Sequence, residues 1–343
     1  MAERPSPRQL MKQLLQGDRP PRPLFLPILF SLGARIENTP LQAFLCNPTK
    51  ISNSLSRIRT HVQSDGVSCY FDPHLEAEAL GAALEWRADG QPPTLRWPGQ
   101  AKKGQLPEGL RPVEQAAKSA RITVATEVIR RLNSLLRDDS LLMAGLTGPF
   151  TLAARITQLE PQEAFQFENY SPAALEIAAT LLMQISTECV AAGANLIFIQ
   201  EDILPALTEA NCDSFAALLA PAINVIRFYQ ALPVLRLPEG GGIGGKEEAI
   251  FKRVWDCAIC AGLDTFESAG TRGMMEAAGV PWGIALPSSA FEADDRESEK
   301  ISSRIREVIS RIRPAIVTTT GDVPAGIDLK LVLKVLNTVS PGE

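Results

Sequence analysis

Residues 70–81 read YFDPHLEAEALG, and this stretch decides how the rest of the chain is interpreted. A short β-type run ends at Asp72, and three further ionisable side chains follow directly: His74, Glu76 and Glu78. If the run is a barrel strand, Asp72 lies at its C-terminal end, where the loops of an α/β barrel converge on one mouth. The alternative is that the two glutamates only favour the N-terminal dipole of a helix that starts at Pro73.

Short apolar runs alternate with helical patterns along the whole chain. The runs of strand length are residues 24–30, 66–71, 141–146, 196–200, 233–237, 264–267, 282–286 and 315–319. Repeated β-then-α units predict a parallel sheet with right-handed crossovers, and eight of them fit a single (β/α)8 TIM barrel. Asp89-Gly90 predicts a small hairpin insertion after the second strand. Residues 1–22 are predicted to be a helical extension, and residues 23–343 the barrel domain.

Composition narrows the class of protein. The 343 residues are 45% hydrophobic and 21% charged, so the chain can bury a sizeable core. The net charge of −5 argues against nucleic acid or an anionic membrane as partner. No apolar run approaches the ~20 residues of a transmembrane helix, and six cysteines are too few for a disulfide scaffold. We therefore expect a cytoplasmic protein of enzyme size, compatible with a homodimer.

Charged side chains collect where the predicted strands end. These are Arg35, Asp72, Glu201, Asp202, Glu239 and Asp322, with Arg155 one turn into the helix after the third strand and Arg236 within the fifth. Unpaired charges are expensive to bury, so this many at one mouth predicts a polar ligand, internal ion pairs, or both. Arginine in particular suits carboxylate or phosphate recognition. For Glu239 and Asp322, ordinary solvated loop charge is the competing interpretation.

Two other motifs match known binding-site patterns only in part. Cys257-Ala-Ile-Cys260 has CxxC spacing, but it falls within a helix predicted over residues 246–261 and has no second pair, which favours core packing over metal binding. Residues 240–245, GGGIGG, match neither the phosphate-binding GxxxxGK[ST] order nor the dinucleotide GxGxxG pattern. They predict a mobile loop over the mouth.

Four segments, taken in order, resemble the uroporphyrinogen decarboxylase superfamily, which includes corrinoid-dependent methyltransferases. They are YFDPHLEAEALG (70–81), GPFTLAA (148–154), GANLIFIQED (193–202) and TTGDVPA (319–325). The resemblance implies a (β/α)8 barrel with a tetrapyrrole-related pocket at its mouth. The ligand would be a porphyrinogen, or a methylcorrinoid presented by a corrinoid-binding partner protein.

At several positions the chain departs from the pattern of the methyltransferases, and at others from that of the decarboxylases. Methyltransferases of the family hold zinc at positions that correspond here to Leu237, Glu239 and Gly321, so we expect no zinc. Asp72 and Arg35 resemble positions of the decarboxylases. However, Arg155 stands where they have a tyrosine, Asp202 where they have a serine, and Gly321 near their histidine.

The resemblance favours a zinc-independent, corrinoid-linked methyltransferase that uses methylcobalamin or a related corrinoid carried by a partner. The alternatives are a divergent decarboxylase of porphyrin metabolism and a catalytically silent binding protein. The expected catalytic residues are Asp72, Glu201 and Asp202, where an acid such as Glu201 or Asp202 would act as general base. The expected substrate-binding residues are Arg35, His74, Glu76, Arg155, Arg236 and Glu239.

Overall fold

The fold was determined as a computed structural model. The structure describes residues 5–87, 93–99, 104–136, 139–238, 257–262, 279–291 and 295–324, and the single residues 253, 265, 326, 327, 330 and 333. The predicted glycine-rich loop, Glu239 and the helix predicted over residues 274–278 lie outside the described residues.

Eight parallel strands form one sheet, as the repeated apolar runs predict. In chain order the strands are β1 Leu24–Leu26, β2 Gly66–Tyr70, β5 Leu141–Thr147, β6 Leu196–Gln200, β7 Leu232–Arg236, β8 Ala258–Gly262, β9 Trp282–Leu286 and β10 Ile316–Thr319. They pair in the order β1-β10-β9-β8-β7-β6-β5-β2, every pair being parallel. Together with the helices they make a nearly closed TIM barrel, which confirms the predicted fold class.

The helices cover the outside of the sheet and connect its strands. They are α1 Pro7–Leu15, α2 Leu32–Ile36, α3 Leu41–Phe44, α4 Pro48–His61, α5 Leu75–Ala79, α6 Val113–Ala116, α7 Ala120–Leu136, α8 Pro149–Thr157, α9 Pro161–Ala164, α10 Pro172–Ala191, α11 Glu209–Phe228 and α12 Asp295–Ile312. Among the described helices, α10 alone is long and apolar enough to cross a membrane, but half of its apolar window is buried inside the protein. It packs between α8 and α11, as the core helix of a barrel does.

Asp65 brings the two edge strands of the sheet together. Its N–H donates to the carbonyl of Phe25 at 2.9 Å, and its Oδ2 accepts the N–H of the same residue at 2.8 Å. Both carboxylate oxygens also accept hydrogen bonds from Arg22, at 2.7 and 2.8 Å. One side chain therefore joins β1 to the start of β2 and nearly closes the barrel.

We expect Asp65→Asn to lower the free energy of unfolding by about 2–3 kcal/mol, because the largely buried Arg22 loses its bidentate carboxylate. Chemical denaturation measures the loss. Glu85→Gln is the matched control, since Glu85 pairs with Arg96 at 3.3 Å with both side chains exposed, and such pairs contribute little. Equal losses in the two variants would contradict a role for Asp65 in closing the barrel.

Helix α1 closes the N-terminal end of the barrel. Its Ser6 N-cap accepts from the N–H of Gln9, and its apolar face is buried. Three of its side chains share one cluster with inward-facing residues of the strands: Leu10, Met11 and Leu14. The strand residues of that cluster include Leu141 and Met143 of β5, Leu196 and Phe198 of β6, and Leu232 and Val234 of β7. The lower half of the barrel is therefore filled with apolar side chains.

Two further sequence predictions can be compared with the described residues. The hairpin inserted after β2 is present as β3 Ala83–Glu85 and β4 Thr94–Arg96, which pair antiparallel. The prediction of a helix over residues 246–261 is wrong at its C-terminal end, because Ala258–Gly262 form strand β8, earlier than the strand predicted at 264–267. A continuous apolar run buried on both faces has no period that separates strand from helix. Cys257 and Cys260 are both buried, so the preference for core packing is confirmed.

Candidate functional site at the barrel mouth

Side chains alternate inward and outward along the strands, and this alternation defines the floor of the mouth. Leu196 and Phe198 of β6 face inward, so Gln200 does too, and Leu232 and Val234 place Arg236 inward in the same way. Gln200 and Arg236 are also register partners across β6 and β7. This last pair of register partners on β6 and β7, called the last rung below, therefore carries polar side chains above the apolar cluster.

Arg155, Asp202 and Arg236 form an ion-pair cluster at this end of the barrel. Asp202 Oδ2 accepts from Arg155 Nη2 at 3.0 Å, and its Oδ1 accepts from Arg236 Nη2. The Arg236 side chain is only 4% exposed, whereas that of Asp202 is 39% exposed. Two arginines thus share one carboxylate, and the cluster carries an excess positive charge.

Gln200 adjoins this cluster and was not among the residues predicted from sequence. Its amide Nε2 is buried without a hydrogen-bond partner among the described residues, and the same holds for Nε of Arg236. A search for charge at strand ends passes over a neutral amide. The signal that could have found it is a polar residue at the inward-facing last position of an otherwise apolar strand.

Glu76 connects α5 to β5 beneath the mouth. Its two carboxylate oxygens accept from the N–H and the hydroxyl of Thr147, at 2.8 and 2.7 Å. Burial raises the pKa of Glu76, against the opposing effect of the Thr147 hydrogen bonds. The Thr147 hydroxyl also lies 3.4 Å from Nη1 of Arg155, which ties this pair to the arginine cluster.

Glu201 is fully buried and caps the N-terminus of α8. Its carboxylate accepts from the N–H groups of Phe150 and Thr151, at 3.1 and 2.8 Å, and from the Thr151 hydroxyl at 2.7 Å. A Cβ at Gly148 would lie 2.3 Å from Glu201 Cδ, so only glycine leaves room for this approach. Burial raises the pKa of Glu201 to about 7, despite hydrogen bonds that lower it.

Asp72 is buried in a different set of contacts. One carboxylate oxygen accepts from the His74 N–H at 2.9 Å, and the other accepts from Arg121 of α7. Arg121 also donates to Glu78. Burial alone would raise the pKa of Asp72, but the hydrogen bonds of His74 and the charge of Arg121 outweigh it and hold the pKa below its ordinary value. Asp72 is therefore an anion with partners inside the protein.

The contacts of Asp72 involve a residue that the sequence did not suggest. Arg121 lies in the first turn of α7, far from Asp72 along the chain, and only the folded arrangement brings the two together. Asp72 lies close to the ion-pair cluster, because Arg155 Nη1 donates to the carbonyl of Pro73, the next residue along the chain. No described contact joins the Asp72 carboxylate itself to Arg155 or Arg236.

Two other strand-end charges have structural partners. Arg35, exposed on α2, donates to the carbonyl of Ile327. Asp322 accepts from the N–H groups of Phe30 and Ser31, at 2.7 and 2.8 Å, and burial raises its pKa to about 7. Both residues thus connect the C-terminal segment to the loop after β1.

Metal-ligating residues do not gather within the described part of the chain, where no group of three or more His, Cys, Asp or Glu side chains could hold an ion. Of the positions that resemble the zinc ligands of methyltransferases, Leu237 is a buried hydrocarbon side chain and Gly321 has none. Glu239 lies outside the described residues, so the absence of zinc stays a prediction.

The fold and the position of this mouth define a TIM-barrel protein of the kind whose chemistry lies at the C-terminal ends of the strands. The chain belongs to the uroporphyrinogen decarboxylase (URO-D) family, whose sequence profile matches residues 6–230. This confirms the family resemblance, and three of the four sequence segments, 70–81, 148–154 and 193–202, lie within the matched residues. A comparison with curated proteins gives no match.

Two solved structures have the same fold over most of the chain. A methyltransferase from Methanosarcina mazei is 14% identical, with a TM-score of 0.75, and the match covers 97% of this chain and 98% of that one. A B12-independent methionine synthase from Shewanella sp. W3-18-1, solved with selenomethionine, is 12% identical with a TM-score of 0.52, and the match covers 87% of each chain. At these identities the likeness concerns the fold.

Proposed function

We propose that this protein is a methyltransferase of the URO-D superfamily that holds an acidic ligand at the barrel mouth. The observation that carries the proposal is the ion-pair cluster, in which Arg155 and Arg236 share the single carboxylate of Asp202. Excess positive charge at a partly desolvated site favours an anionic group on the ligand. The full-length likeness to a methyltransferase fold supports the reaction type.

The methyl donor in this proposal is a corrinoid such as methylcobalamin, presented by a corrinoid-binding partner protein. A corrinoid would supply the methyl group. Its amide side chains carry hydrogen-bond acceptors, which the partly exposed Arg155 suits as a donor. The proposed chemistry does without zinc because Leu237 and Gly321 have no ligating atoms. Of the two acids expected as general base, Asp202 has its side chain partly exposed at the mouth, whereas Glu201 is enclosed by the first turn of α8.

Decarboxylation of a porphyrinogen is the second candidate, and the same arginines favour it, because porphyrinogens carry acetate and propionate groups. Asp72 speaks against it. In the decarboxylases the matching aspartate would meet the pyrrole nitrogens, but here the Asp72 carboxylate is paired with Arg121 and His74. A catalytically silent binding protein is the third candidate.

Anaerobic titration with methylcobalamin and, separately, with uroporphyrinogen tests these candidates. We expect saturable binding of methylcobalamin and no loss of carboxyl groups from uroporphyrinogen. We also expect Arg155→Met to weaken methylcobalamin binding roughly tenfold, because a charge-assisted donor is lost. Arg306→Met, at an exposed position of α12, is the matched control and should leave binding unchanged.

The outcomes separate the candidates. Conversion of uroporphyrinogen to products with fewer carboxyl groups, without methylcobalamin binding, would replace the methyltransferase proposal with the decarboxylase. Binding of methylcobalamin that no acceptor ever discharges would point to the silent binding protein.

A further inference from the structure

The last rung of β6 and β7 places two polar side chains inside the barrel. Gln200 and Arg236 are register partners at the C-terminal ends of these strands, and both face inward above the apolar cluster that fills the lower barrel. Gln200 is 6% exposed and Arg236 3% exposed. Neither side chain can therefore satisfy its donors with bulk solvent.

Within the part of the chain that the structure describes, each side chain has a buried N–H donor without a partner. Gln200 Nε2 has no hydrogen bond, and Arg236 uses its Nη2 on Asp202 and its Nη1 on the carbonyl of Leu237 at 3.4 Å, which leaves Nε unpaired among the described residues. Buried donors are almost always paired in folded proteins, because an unpaired one is destabilising. Two of them on one rung indicate a partner group that the described residues do not supply.

Charge identifies the kind of group that would fit. Arg155 and Arg236 contribute two positive charges to the cluster and Asp202 contributes one negative charge. The neighbouring carboxylate of Glu201 is occupied by the first turn of α8 and adds no partner for Arg236. One excess positive charge matches a singly charged carboxylate better than a doubly charged phosphate.

We infer that Gln200 and Arg236 form an anchor for the carboxylate of a small organic acid that enters the barrel. This inference rests on the proposed function in one respect, because it names the class of substrate that would bind at the same barrel mouth. The carboxylate accepts from Gln200 Nε2 and Arg236 Nε at the floor, and the rest of the acid points toward the opening. The charge of Arg236 selects an acid over its neutral amide, and Gln200 supplies a second donor to the same carboxylate.

Propionate is the test probe, with propionamide as its neutral counterpart, and calorimetric titration measures binding. We expect wild-type protein to bind propionate and not propionamide. Gln200→Met keeps the size of the side chain and removes the donor, so propionate binding should weaken at least about tenfold. The melting temperature of Gln200→Met should stay the same or rise, because an unpaired buried donor is replaced by an apolar group. A purely structural glutamine would show the opposite pattern.

Two further variants complete the test. Gln200→Glu retains the fold through an ion pair with Arg236 and should also lose propionate, because two carboxylates then compete for one arginine. Gln162→Met, at an exposed position of α9, should behave as wild type. Wild-type affinity for propionate in both Gln200 variants would overturn the anchor, as would wild-type protein that binds neither compound, the result expected if water alone occupies the rung.

The anchor and the proposed function can fail separately. Loss of propionate binding in Gln200→Met, in a protein that never binds methylcobalamin, would retain the anchor and reject the methyltransferase. Methylcobalamin binding with equal propionate affinity in wild type and Gln200→Met would do the reverse.

Discussion

Asp202→Asn is expected to lower the free energy of unfolding by about 2–4 kcal/mol, although Asp202 itself is partly exposed. The loss comes from Arg236, whose buried guanidinium would keep its charge without a carboxylate and would face the like charge of Arg155. Solvent at the mouth screens part of this effect, which places the figure below that for a fully enclosed pair. Urea denaturation at neutral pH measures it.

The double variant Asp202→Asn with Arg236→Met shows whether the lost stability comes from the unpaired charge of Arg236 or from another effect of replacing Asp202. Because the uncompensated charge is removed, it should regain most of the stability lost in Asp202→Asn. Glu127→Gln is the surface control: Glu127 pairs with Arg131 one helical turn along α7, both side chains being well exposed, and no measurable change is expected. If the double variant is as unstable as Asp202→Asn, the buried charge of Arg236 is not the cause.

Raising the pH from about 5 to 8 is expected to destabilise the protein through Glu201. Its pKa in the folded state is about 7, because burial disfavours the carboxylate, whereas in the unfolded chain it titrates near its ordinary value of 4.5. Between these two values the native state holds a proton that the unfolded state has released. Stability from this group is therefore full below about pH 4.5 and is lost as the pH rises through 7, by on the order of 3 kcal/mol.

Glu201→Gln isolates this contribution, because glutamine stays neutral and keeps a carbonyl acceptor for the first turn of α8. The slope of stability against pH should flatten in this variant. Some slope should remain, since burial also raises the pKa of Asp322 to about 7 and that carboxyl acts in the same direction. Unfolding measured from pH 5 to 8 in both proteins checks the difference, and identical slopes would show that Glu201 does not titrate in this range.

Much of the barrel was predictable because its strands are continuous apolar runs bounded by clear breaks. The bounds of β6 and β9 agree with the predictions residue for residue. Strand β8 was missed because Cys257–Ala261 is apolar throughout and fits a buried helix as well as a buried strand. There the pairing with β7 and β9 decides the structure, and no local pattern reveals it.

The candidate site was predictable where charge follows a strand and not where the partner is remote. Arg155, Asp202 and Arg236 were all expected near the mouth, and the structure brings them into one cluster. Arg121 was not expected, because its contact with Asp72 depends on how α7 packs beside β2. Whether a strand-end carboxylate turns toward a helix N-terminus to cap it, as Glu201 does, likewise depends on the glycine opposite it.

Helix α1 closes the N-terminal end of the barrel, and under the proposed function this closure affects the order in which ligands bind and leave. With apolar side chains filling the lower half, the described residues leave no passage through the N-terminal end, so a ligand of the Gln200–Arg236 rung would enter and leave by the mouth. A partner protein docked over that opening would trap whatever is already inside and exclude whatever is not. Steady-state kinetics with such a partner should then show a compulsory sequence, in which the small acid binds first and its product departs last.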